Sequence, residues 1–244
     1  MEVENIMNKI QNYLGNAPEN LTVLEEQIDI ELQMEYFDLS GEVKKNINKD
    51  KVLSEKDMIF LNDISLDEKK ELLCKLASVE DVAAYRTLEK YLKQSPQDIY
   101  KWAFLALQES KMLLESSFLD ENRVFISTGL GGKGRKLRYN VVFLSNQKTA
   151  INEIQKKVII NESDQILKQL NCENEKINFY ENYASLIILI PLEVDLKFIF
   201  RKIIDECNIY GNFLNKNFII TNVKILNDNE IQNIINKKTI DYTD

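Results

Sequence analysis

The spacing of apolar residues first changes near residue 120, and that change decides what this chain can build. Up to about Asp120 they recur every three or four residues, and from Val124 alternating stretches appear among the helical ones. A period near 3.6 buries one stripe of a helix, whereas a period of two buries one face of a strand. The first half is therefore expected to be helical and the second to carry a sheet, giving an α+β chain.

Val3, Ile6, Met7, Ile10 and Leu14 predict an amphipathic helix over 1–14, stopped by Gly15-Asn16-Ala17-Pro18. Leu24, Ile28, Leu32 and Tyr36 continue the helical period over 21–39. Glu25, Glu26, Asp29, Glu31 and Glu35 form an acidic stripe on its other face, a solvated surface or a dock for a basic partner. Asp38-Leu39-Ser40-Gly41 reads as a turn and 46–51 as a polar loop. Ser54-x-x-Asp57, Ser65-x-x-Glu68 and Ser78-x-x-Asp81 have the form of capping boxes. Ser95-Pro96 places proline where a helix tolerates it best. The helices these signals open run through Leu72, Leu73 and Leu76, then Val82, Tyr85, Leu88 and Leu92, then Ile99, Trp102, Leu105, Glu109 and Leu113. Short capped joints between such helices predict an antiparallel stack.

In the second half, 124–128 and 137–144 read as two strands of a hairpin. A helix follows over 147–158 and on through Ile166 and Leu170, although Lys157–Ile160 also has strand character. Strands over 177–180 and 185–192, a helix over 195–207, a strand over 218–226 and a helix over 229–237 complete the order. Between Tyr139 and Leu226 this is β-α-β-β-α-β, the split arrangement of ferredoxin-like folds. The expected architecture is an N-terminal antiparallel helical domain (1–120) packed on a C-terminal ferredoxin-like α/β domain (121–244) with an extra β-hairpin. Charge divides the same way. Residues 1–120 carry a net −10 and residues 121–244 a net +2, which together give the −8 of the whole chain.

One segment breaks the composition. The chain has seven glycines and five arginines, and Gly129, Gly131, Gly132, Gly134, Arg135 and Arg138 all fall within ten residues, together with Lys133 and Lys136. Glycine used this sparingly marks positive φ or close backbone approach. Free N–H groups beside Lys and Arg suit a phosphate. Alternation puts Arg135 with Leu137 and Tyr139 on one face, and Lys136 and Arg138 together on the other, placed to grip one anion. The letters Gly129-x-Gly131-x-x-Gly134 match a dinucleotide fingerprint, but a strand rather than a helix follows. Arg135-Lys136 stands where a P-loop needs Lys-Ser/Thr. The segment sits in a hairpin as the protein-kinase glycine loop does, without the rest of that signature.

The chain has no histidine, which removes Ser–His and Cys–His nucleophiles and every His-ligated metal. No catalytic, metal or cofactor residues are assigned. The isolated Cys74, Cys172 and Cys207 suit a reducing compartment. The N-terminus lacks the features of a secretory leader, and the apolar run 185–192 falls far short of the roughly 20 residues that span a bilayer. A cytoplasmic protein without membrane attachment is expected.

The reading these residues favour is a non-enzymatic binding protein that contacts a phosphate-bearing partner, RNA or ribosome, through hairpin 129–138. A first alternative is a protein–protein adaptor or scaffold using the acidic helical domain, with the loop as an internal clamp. A second is an enzyme on a phosphorylated small molecule, with Glu109 and Asp120 as its candidate carboxylates. Arg86 is expected to pair with Glu89 or Glu109, and Tyr180 and Tyr183 to pack at a turn.

Overall fold

The computed structural model describes residues 21–119, 123–146 and 149–240. The helix expected over 1–14 and the carboxylate of Asp120 lie outside the described residues. The chain mixes helix and sheet and divides into two compact units. One comprises Ile28–Ile126 with the residues just before Val23; the other comprises Val23–Gln27 and the chain from Ser127. Among the described residues no helix is long and apolar enough to cross a membrane.

The described chain opens as a strand, β1 (Leu21–Val23), not as the helix expected from residue 21. Leu21 and Val23 point inward and Thr22 does not, so a period of two fits these residues as well as the helical one. Leu24 and Ile28 are buried ahead of any helix. Helix α1 (Ile30–Lys44) starts where the Asp29 carboxylate accepts from the Glu31 N–H at 2.8 Å. It runs straight through the turn expected at 38–41. Gly41 costs a helix interior about 1 kcal/mol but does not stop it.

Helix α2 (Lys49–Glu55) occupies the expected loop, capped by Asn48, which accepts from Lys51 N–H at 3.0 Å. A 3₁₀ turn (Lys56–Phe60) follows. Helix α3 (Leu66–Ala77) opens on the complete Ser65–Glu68 capping box. Helix α4 (Val82–Leu92) is capped by Asp81 rather than by Ser78, whose hydroxyl donates back to Cys74 O. Helix α5 (Tyr100–Leu119) begins after the Pro96 turn. Leu73, Leu76, Leu88, Ile99 and Trp102 fill the core of this unit. Each such side chain contributes about 1.5–3 kcal/mol on burial.

Strand β2 (Val124–Ile126) pairs with β1 in a two-stranded sheet, not with the strand after the glycines. The hairpin is instead β3 (Gly132–Lys133) with β4 (Lys136–Ser145). Helix α6 (Glu153–Gln169) follows, with the strand-like 157–160 inside it. Then come β5 (Glu173–Phe179), β6 (Tyr183–Pro191), helix α7 (Leu196–Ile209), β7 (Leu214–Thr221) and helix α8 (Asp228–Ile240). The last strand therefore begins and ends a few residues earlier than expected.

Strand β4 is central. It pairs antiparallel with β6 over nine residues and with β7 on its other edge, while β5 lies outside β6. β6 is buried along nearly its whole length because helices cover both faces. On one face Phe143 of β4 meets Phe200 of α7, with ring centroids 6.1 Å apart, and Phe200 meets Phe218 of β7 at 5.4 Å. On the other face α8 brings Ile231 and Ile234 against Val142, Tyr183 and Ile219. Lys136, Arg138 and Asn140 share this second face with Val142, at the end of β4 away from Leu144.

Candidate functional site

Each glycine of the basic segment has a local reason. A Cβ on Gly129 would lie 1.8 Å from Val223 O, and one on Gly132 would lie 2.2 Å from Lys136 O. Gly131 has φ +65°, and a Cβ there would stand 2.5 Å from Glu25 O. Gly134 has φ +58° in open space. It is the first central residue of a two-residue turn set by the Lys133–Lys136 pairing, where positive φ matches the twist of a hairpin. Three glycines thus admit neighbouring backbone and the fourth makes the turn.

The N–H groups of this segment are largely taken. Leu130 donates to Asn222 O at 3.0 Å and Gly131 to Thr128 O at 3.1 Å. Gly134 donates to Glu25 Oε1 at 3.1 Å. The segment is a strap drawn over residues 23–27 within the sheet unit: Val23 Cγ1 faces Gly132, the carbonyls of Glu25 and Glu26 face Gly131, and the Glu25 carboxylate faces the turn.

The cations divide as the alternation predicts. Leu137 and Tyr139 are buried, while Lys136 and Arg138 lie together on the opposite face. What they grip is the edge strand of their own sheet. Arg138 holds Glu175 through Nε at 2.5 Å and Nη2 at 3.0 Å, and donates Nη1 to Leu130 O at 2.7 Å. Lys136 Nζ lies 2.7 Å from Glu173 Oε1 and 3.3 Å from Asn171 Oδ1. Arg135, on the other side, meets Glu193 at 3.0 Å. Lys133 is exposed.

A two-pronged guanidinium–carboxylate pair is stronger and more directional than a single contact. The bonds to Glu175 raise the Arg138 pKa. The Lys136 ammonium holds the Glu173 carboxyl below its ordinary range. Just before β5 Cys172 is buried, and burial pushes its thiol up to about 11.

The other sequence candidates lie elsewhere. Glu109 is buried in the helical unit. Its carboxylate accepts from Tyr36 Oη at 2.5 Å and from Ser40 Oγ at 2.8 and 2.9 Å, and Lys44 pairs with it. Its partners are thus on α1, and Arg86 is not among them. Tyr36, Ser40 and Lys44 stand at i, i+4 and i+8, one line along the helix. That line is visible in the sequence, but Tyr36 reads as core and Ser40 as turn. Tyr180 and Tyr183 stack at 4.4 Å across the β5–β6 turn, and Tyr183 donates to Asp228 at 3.1 Å.

No protein-family model matches the chain, and no curated protein matches it. Solved structures with a partial likeness include a candidate transposase from Deinococcus radiodurans R1, 13% identical with a TM-score of 0.37, covering 42% of this chain and 91% of that one. A REP-associated tyrosine transposase bound to a REP hairpin is 13% identical with a TM-score of 0.32, over 44% of this chain and 66% of that one. The P2 domain of the chemotaxis kinase CheA, in complex with CheY from Thermotoga maritima, is 14% identical with a TM-score of 0.25, over 36% of this chain and 99% of that one. Likenesses this shallow carry no argument about function.

Proposed function

We propose that this chain is a protein–protein adaptor of a reducing compartment such as the cytoplasm. In this reading its helical unit supplies the binding surface, its sheet unit is a ferredoxin-like scaffold, and the glycine-rich hairpin is an internal clamp. The strand order β7-β4-β6-β5, with α6 and α7 as the crossovers, supports the ferredoxin-like reading. The three free, buried cysteines support the compartment.

One observation carries the choice of adaptor over phosphate binder. Arg135, Lys136 and Arg138 each already hold a carboxylate, at 3.0, 2.7 and 2.5 Å. A phosphate would have to displace these intramolecular partners, which compete at high effective concentration. The same contacts suit a clamp that ties β4 to β5.

The combined Arg135→Ala, Lys136→Ala and Arg138→Ala variant tests this. The clamp reading expects a melting temperature lower by several degrees and unchanged retention of the protein on a heparin column. Loss of heparin or RNA binding with an unchanged melting temperature would return the hairpin to the phosphate-binding role.

A further inference from the structure

Helix α1 is held to its unit by polar bonds and leaves an uncovered outer face. Gln33, Tyr36 and Ser40 are its buried residues. On the far side Met34 is 61% exposed and Phe37 49% exposed. Glu31, Glu35, Asp38 and Glu42 flank them along one side, and the sequence has no Lys or Arg between Glu25 and Val43. Of these four carboxylates only Glu35 is ion-paired among the described residues, to Lys70 at 2.7 Å. Gly41, one turn after Phe37, leaves a notch in this face: a Cβ there would meet nothing within 4 Å.

The sheet unit presents the opposite pattern on the first two turns of α7. Phe198 is 58% exposed, with Lys197, Arg201 and Lys202 around it. None of these three cations is ion-paired among the described residues, in contrast to the hairpin cations. Asp195 is occupied as the N-cap, accepting from Lys197 and Phe198 N–H groups. Asp205 and Glu206 follow one turn later, toward the C-terminal half of the helix.

We infer that the acidic face of α1 in one copy of the chain receives the basic face of α7 in a second copy. Phe198 lies against Met34 and Phe37, and Lys197, Arg201 and Lys202 lie among Glu31, Asp38 and Glu42. An exposed aromatic flanked by three cations without ion-pair partners among the described residues, with Asp205 and Glu206 set back one turn, fits an apolar patch flanked by carboxylates, and such complementarity sets both encounter rate and register. The two faces differ, so each copy offers both halves of the contact, and association closes as a reciprocal pair or a ring or continues as an open chain. This inference rests on the reading of the helical unit as a binding surface and names its occupant.

The test is sedimentation velocity of the full chain across the micromolar range at low and high salt. The expected result is a species larger than the monomer whose share grows with concentration and shrinks with salt. Two variants, Glu31→Lys with Asp38→Lys and Lys197→Glu with Arg201→Glu, each weaken association about tenfold or more. Mixing the two variants restores it, because each then offers the sign the other needs. All four substitutions are at exposed positions, and circular dichroism verifies folding. A chain that is monomeric at every concentration overturns the inference, as does association that neither variant weakens or that mixing fails to restore. Neither result bears on the melting temperature and heparin retention of the hairpin variant, so the two readings fail separately.

Discussion

Removing the carboxylate of Glu109 is expected to cost the helical unit about 3–5 kcal/mol, the range for breaking a buried charged network by deleting one partner. The structure allows that figure to be built up. The Tyr36 and Ser40 hydroxyls, both on buried residues, lie 2.5 and 2.8 Å from the carboxylate oxygens. In Glu109→Ala both lose their acceptor where water does not replace it, at about 1–3 kcal/mol each. The truncated side chain also leaves a void. Lys44 adds less, because its side chain is 50% exposed and rehydrates. Glu109→Gln keeps the shape and one acceptor oxygen, so its cost falls to about 1–2 kcal/mol, the difference between charged and neutral hydrogen bonds. The assay is urea unfolding followed by fluorescence. The protein has a single tryptophan, Trp102, which is 2% exposed with its ring 5.3 Å from Tyr36, so the signal comes from the perturbed region. The midpoint should move with an unchanged slope. An alanine variant within about 0.5 kcal/mol of the parent, or a glutamine variant as costly as alanine, would refute the account of α1 as a polar-seamed helix.

The remaining expectations are smaller. Gly131→Ala meets both a positive φ and the Glu25 carbonyl, whereas Gly134→Ala meets the φ alone. The first should cost about 3 kcal/mol and the second about 1, read by calorimetry. Gly41→Ala, in ordinary helix with open space around it, should stabilise by about 0.5–1 kcal/mol in the urea experiment. Burial pushes the thiols of Cys74 and Cys207 up to about 12 and that of Cys172 to about 11. Folding therefore favours the protonated thiol. The stability this gives is complete below the unfolded thiol value and is lost as pH rises from there toward 11–12. Urea midpoints should fall steadily above about pH 9, and native protein should resist thiol reagents at pH 8.

The sheet unit was the more legible half. β6 is an apolar run too short to cross a membrane as a helix and too uniform for a surface strand, and the helices on either side of it carry clear periods. The order of strands and helices follows from that alone. The alternation of β4 also sorted Leu137 and Tyr139 from Lys136 and Arg138 correctly. It could not name the partners of the cations, because Glu173 and Glu175 lie 37 residues further on. A local pattern shows which way a side chain points but not which strand will lie beside it. The same limit explains the hairpin: β2 is a good strand, and its pairing with β1 rather than β4 is a long-range choice.

Helix α1 misled for a different reason. Its buried seam is Gln33, Tyr36 and Ser40, so hydrophobic periodicity follows the helix only to Tyr36 and then reads a turn at 38–41. The bonds that hold it reach 69 and 73 positions along the chain. At 21–28 the error ran the other way, since Leu24 and Ile28 are spaced for a helix but are buried from the irregular segment between β1 and α1.

The position of β4 at the centre of its sheet has a consequence for how the chain is made. Its two long partners, β6 and β7, are both synthesised after it, and β7 ends only at Thr221. The ribosome adds about 5–20 residues per second, so β4 waits several seconds for its second partner. Residues 23–27 wait longer still, since the strap that receives them is more than a hundred positions away. The contacts of α1 to α5, by contrast, are complete once Leu119 has emerged. Synthesis therefore delivers the five packed helices well before the sheet can close, and the long apolar strand β6 emerges while β4, the strand it pairs with, still lacks β7.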